Sequence, residues 1–169
     1  MTKVGNWIAP LVNKYESVLV LLFVIGLFIK TSTDLSKNFL IIISLSVLIV
    51  LYYLRSFYIS DEENIGPWDR FADKLSYYAC CVGAVGILFR LGNWPGYRVM
   101  VLIGCMTIST SLIAILYCKI KKPELKLLSV RLLVRVILIG AICFFLLYVS
   151  SEDLVKYKLI DYVRIETTK

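Results

Sequence analysis

Leu75 to Cys118 reads LSYYACCVGAVGILFRLGNWPGYRVMVLIGCMTISTSLIAILYC. Two apolar runs, 75–91 and 97–118, flank the short turn Gly92-Asn93-Trp94-Pro95-Gly96. Crossing a hydrocarbon core of about 30 Å takes about 20 residues, with ~17 as the lower limit, so the second run is long enough and the first is close to the limit. Inside lipid the backbone has to satisfy its own polar groups, which makes both runs helices. They form a helical hairpin, and the rest of the chain is read outward from it.

Three further apolar runs lie at 17–31, 38–58 and 128–149. The fold expected is therefore all-α, a polytopic transmembrane helical bundle of about five spans forming a single membrane domain over 1–169. The first and third spans are short, so Lys14, Lys30, Lys74 and Arg90 are expected to snorkel to the headgroups while the bilayer thins. Between spans two and three, the polar linker Ser60 to Lys74 contains Asp61-Glu62-Glu63 and then Gly66-Pro67-Trp68. Pro67 suits the first turn of a helix and Trp68 the membrane interface, which predicts a short interfacial helix over 67–73 running into the third span.

Internal repetition organises these runs. Gly5-Asn6-Trp7 matches Gly66-Pro67-Trp68, and the same offset places Val24 on Val85, Leu27 on Leu88, Phe28 on Phe89 and Ile42 on Ile103. The reading is two tandem parallel helical-hairpin repeats, 5–58 and 66–118, because a unit of two spans returns the chain to its starting side. Ser32-Thr33-Asp34-Leu35-Ser36-Lys37 in the first hairpin loop resembles Ser151-Glu152-Asp153-Leu154-Val155-Lys156. A half repeat over 128–149 is thus expected to end in an amphipathic tail, 150–169, lying on the surface.

Composition agrees with a lipid-facing surface: 59% of the 169 residues are hydrophobic and 18% charged, against about 25% charged in a soluble domain. The net charge of +7 gathers at the ends of the apolar runs, so anionic lipid headgroups are the expected counterpart, not nucleic acid. With no histidine, and with the 12 acids outside the expected spans, most metal sites and proton carriers are excluded. No cofactor is expected. Five cysteines, all in or beside apolar runs, do not make a disulfide framework. Cys80-Cys81 is read as small-residue packing, and Thr107, Ser109, Thr110 and Ser111 as hydroxyls bonded to their own helix or across a helix interface. Asp61-Glu62-Glu63 and Asp69 are read as a solvated linker. No cleavable signal peptide is expected before Val18.

Lys119, Lys121, Lys122, Lys126 and Arg131 share one loop, which places that loop, and the N-terminus with it, on the cytoplasmic side. Lys119, Lys121, Lys122, Arg131 and Arg135 are the candidate contacts to anionic lipid, with Arg131 and Arg135 one turn apart on one face. Asn93, Trp94, Pro95, Gly96 and Tyr97 form the candidate partner-docking tip. Gly92 and Gly96 are expected to supply its unusual backbone angles, and its aromatics its anchors.

The stretch Gly86-Ile87-Leu88-Phe89-Arg90-Leu91-Gly92-Asn93-Trp94-Pro95-Gly96 resembles the apolar-Phe-Lys-x-x-His-Trp-Pro-Gly hairpin of small inner-membrane proteins of Bacteroidota, the GldL-like family of the gliding-motility and type IX secretion motor. The resemblance covers one hairpin, since 31–37 has no Trp-Pro-Gly. It implies a bacterial inner-membrane location, two spans, a long cytoplasmic tail and a membrane-embedded glutamate in the helix after the tip that serves a proton-driven motor. In this chain 99–118 contains no acid and Asn93 stands at the His position, so no proton-powered role is expected.

No loop between spans is long enough for a catalytic domain, and an enzyme is not expected. A structural or accessory subunit is, packing with other membrane subunits or with copies of itself in an envelope, motility or secretion complex. An oligomeric small transporter or channel is the alternative, suggested by the repeats and the hydroxyl-bearing fourth span.

Overall fold

The structure is a computed structural model that describes residues 14–15, 18–26, 28–29, 39–57, 66–121, 130–156 and 159. Among them every regular element is an α-helix: α1 (residues 18–26), α2 (Phe39–Ser56), α3 (Pro67–Leu91), α4 (Tyr97–Lys121), α5 (Val130–Tyr148) and the short α6 (Ser151–Lys156). Three of these, α2, α3 and α4, are long and apolar enough to cross a membrane. The described apolar part of α5, Leu132–Tyr148, falls just short of that length.

Each long helix turns a stripe inward at alternating steps of four and three residues, the spacing of one helical face. On α2 the stripe is Ile41, Leu45, Leu48 and Tyr52, and on α5 it is Leu132, Val136, Ile139, Cys143 and Leu146, all buried. The outward residues are as apolar as the inward ones: Phe39 and Val50 on α2, Met106 and Ile113 on α4, Val134 and Phe145 on α5 are exposed. This two-sided apolarity is what the bilayer reading requires and what water would not tolerate.

α3 is the central helix and packs against α2, α4 and α5. Its face toward α4 carries Ala72, Ser76, Ala79, Gly83 and Gly86, and small side chains let the two backbones approach closely. A Cβ added at Gly104 would lie 3.2 Å from Gly83 Cα, and one at Gly86 would lie 3.1 Å from both Met100 O and Val101 Cα. Above the glycines Ile108, wholly buried, fills the space between α3 and α5; a Cβ at Gly140 would meet its Cγ2 at 2.9 Å. One turn further in the same direction Ser111 Oγ donates to Ser76 Oγ at 3.0 Å, while Ser76 Oγ donates to Ala72 O at 2.6 Å.

Several expectations need correction. The helix expected over 67–73 runs into the third span as the start of α3, which Pro67 opens in its first turn as read from sequence. α3 is thereby about 37 Å long at ~1.5 Å per residue. The earlier start also takes Asp69 and Asp73 into the bundle, where both are buried and not part of a solvated linker. Arg90, expected to snorkel, is only 2% exposed and turns inward. Over 151–156 the tail forms α6, with Leu154 wholly buried against the core and Glu152, Asp153 and Lys156 exposed. Ser150 caps this short helix, its Oγ 2.7 Å from Asp153 Oδ2 and accepting from Asp153 N at 3.1 Å.

The first repeat's Gly5-Asn6-Trp7 and the loop 32–37 lie outside the described residues, as do Lys30, Asp61-Glu62-Glu63, Lys122, Lys126 and 160–169.

Candidate functional site

Two regions carry the polar groups of the bundle, one at each end. At the hairpin tip, α3 ends in a Schellman arrangement: Trp94 N donates to Phe89 O at 3.1 Å and Asn93 N to Arg90 O at 3.2 Å. The left-handed residue such a cap requires is Asn93, with φ 49°, and Gly96 follows at φ 81°. Gly92, expected to take an unusual angle, is right-handed at φ −76°. What it provides is room, since a Cβ there would lie 3.1 Å from Leu88 O and from the Trp94 indole.

The indole folds back onto Phe89, edge to face at 5.0 Å, the hydrophobic contact that accompanies this cap. Trp94 is thus half-buried within its own hairpin, and Pro95 and Gly96 are what the tip exposes. Tyr97 is half-buried beneath the Arg90 guanidinium, which lies 4.3 Å from its ring. Arg90 Nη2 also donates to Val149 O at 2.7 Å. A cation here satisfies a carbonyl at the negative end of α5 and complements its macrodipole. The tip aromatics therefore serve the cap before they serve any partner.

At the opposite end α2, α3 and α5 meet around Tyr77. Its ring lies 6.3 Å from the Tyr52 ring and 4.8 Å from the Arg55 guanidinium, and its hydroxyl accepts from Arg135 Nη1 at 3.2 Å. One turn earlier on α3, buried Asp73 lies within electrostatic reach of Arg55, Arg135 and Lys74. Three helices are tied by charge where each would otherwise end in apolar surface. Arg135 stands here as the sequence-derived lipid contact that faces inward. Lys119 is half-buried and Lys121 exposed, its Nζ 5.9 Å from the Tyr117 ring. Lys122 and the side chain of Arg131 lie outside the described residues.

Beside this cluster runs a crevice of about 580 Å³ between α1, α2, α3 and α5. Phe23, Leu45 and Ile87 line its buried floor, and Arg135 and Tyr52 are the lining residues with a polar side-chain group. A second crevice of about 650 Å³, between the start of α3 and the end of α4, is lined by Trp68, Phe71, Tyr117 and Lys121.

The hydroxyls of α4 make no open path. Thr107 Oγ1 donates to Gly104 O at 2.9 Å, Ser109 Oγ to Cys105 O at 2.8 Å and Thr110 Oγ1 to Thr107 O at 2.8 Å, while Ser111 bridges to α3. All five cysteines are free and buried, and Cys143 Sγ sits 3.4 Å from Gly83 O.

Asp73, Tyr77, Tyr52 and Arg55 were not among the candidates read from sequence. A signal existed: Asp69, Asp73, Ser76, Cys80, Gly83, Ile87 and Arg90 fall at steps of four and three, one helical face, and all are buried. No protein-family model, curated protein or solved structure matches this chain.

Proposed function

We propose that this chain is a multi-pass protein of the bacterial inner membrane, of structural or accessory type, that packs with other membrane subunits of an envelope, motility or secretion complex. Its five apolar runs all cross, the N-terminus lies in the cytoplasm, and the GldL-like tip of the second hairpin belongs to the face where subunits meet. The observation that carries this reading is the two-sided apolarity of α2 and α4, whose exposed side chains, Val50, Met106, Ile113 and Ile120 among them, suit lipid tails or neighbouring helices and not water.

A structural role is favoured over transport by how the interior is used. Glycine backbones in contact and an isoleucine without exposed surface occupy the seam where a path would run, and the hydroxyls of α4 are bonded to backbone or to Ser76. No enzymatic step is proposed.

Extraction tests the reading in two stages. The protein should stay with membranes through an alkaline carbonate wash and leave them only with detergent. In mild detergent, cross-linking should then capture a discrete assembly larger than the monomer. A chain that remains a partnerless monomer at every detergent ratio would sink the accessory role, and solute flux through liposomes holding the purified chain would replace it with transport.

A further inference from the structure

The crevice beside the Tyr77 cluster has the anatomy of an amphiphile site. Leu21, Val24, Val134 and Leu138 on its rim are exposed, whereas the floor is buried and apolar, so an aliphatic chain can enter sideways from the surrounding medium. Its polar side-chain groups, those of Tyr52 and Arg135, each stand about two turns from the apolar lining residues Leu45 and Ile142 on their own helices. Around that end three described cations, Arg55, Arg135 and Lys74, act on one carboxylate, that of Asp73.

A second copy of this chain would be a poor occupant. Its exposed residues on α2, α4 and α5 are mostly apolar, and among the described residues the exposed acids, Glu152 and Asp153, sit beyond the far end of α5.

We propose that the crevice binds one molecule of an anionic phospholipid, one acyl chain lying on the floor formed by Leu45, Ile87 and Ile139 and the phosphate meeting Arg135. This inference rests on the membrane reading above and adds a lipid class and a site to it. The side chain of Arg135, long and on the early part of α5, is suited to lifting a phosphate contact to headgroup depth.

Native mass spectrometry of the full chain in neutral detergent, titrated with phosphatidylglycerol, phosphatidylcholine or inorganic phosphate, tests it. One phosphatidylglycerol should be retained saturably, preferred over phosphatidylcholine by about fivefold to tenfold, as expected for one well-placed cation. Arg135→Gln should remove that preference, and Arg135→Lys should keep part of it. Leu138→Trp, a change on the exposed rim that fills the crevice, should abolish retention of either lipid. Inorganic phosphate alone should not bind.

Unsaturable adducts, equal retention of both phospholipids, an unchanged preference in Arg135→Gln, or a dimer that carries no lipid would each overturn the site. A protein that stays compact and dissolved without detergent refutes the membrane reading itself, whereas one that needs detergent yet retains no phosphatidylglycerol refutes this inference alone.

Discussion

Asn93 sits in a backbone region that L-residues enter at a cost of roughly 1–2 kcal/mol, and asparagine is among the few that enter it readily. Asn93→Gly should therefore leave stability unchanged or slightly raised, while Asn93→Val should lower it by about 1–2 kcal/mol, read by denaturant unfolding in micelles. Equal stability of the two variants would mean the cap does not hold the hairpin. Arg90 is the second residue to test. Arg90→Met removes a charge-assisted hydrogen bond to Val149 O and the contact with Tyr97, and should cost about 1.5–3 kcal/mol. Arg90→Lys should recover part of the loss. If Arg90 reached the headgroups instead, Met in its place would change stability little.

Between elements, the α3–α4 seam depends on absent side chains. Gly86 faces the backbone of Met100 and Val101, which cannot turn aside, whereas a methyl at Gly83 would meet Ile108 Cδ1 at 2.6 Å, the far end of a side chain that can rotate. Gly86→Val should thus destabilise by about 1–3 kcal/mol, and Gly83→Ala should be partly rescued by Ile108→Val. Thermal inactivation of the four proteins in one detergent checks this order, and rescue at Gly86 by the same partner change would contradict it. The hairpin was legible because two apolar runs around a Gly- and Pro-bearing turn leave few alternatives. The start of α3 was not, because Asp69 and Asp73 read as solvent-facing under hydropathy alone. Only their spacing against Ser76 and Cys80 places these acids on the inner face, where Arg55 and Arg135 act on the Asp73 carboxylate. Such partners come from helices distant in sequence, where local pattern carries no information.

For the whole molecule, orientation is open to direct measurement. Pro95→Cys, at the exposed tip, should react with a membrane-impermeant maleimide in intact cells, while Lys121→Cys should react only after the inner face is opened. The native cysteines, all buried, should contribute little background. Labelling in the reverse order would invert the topology. Of the candidate sites, the tip was visible in sequence as a turn but not as a self-packed one, and the bond that ties Arg135 to Tyr77 was not visible. The bond from Arg90 to Val149 spans 59 positions of the chain. During synthesis the second hairpin therefore leaves the ribosome well before the carbonyl that will hold its guanidinium. If the hairpin spans the membrane as proposed, a nascent polypeptide stalled before Val149 lacks this tie and should be a preferred substrate for membrane proteases.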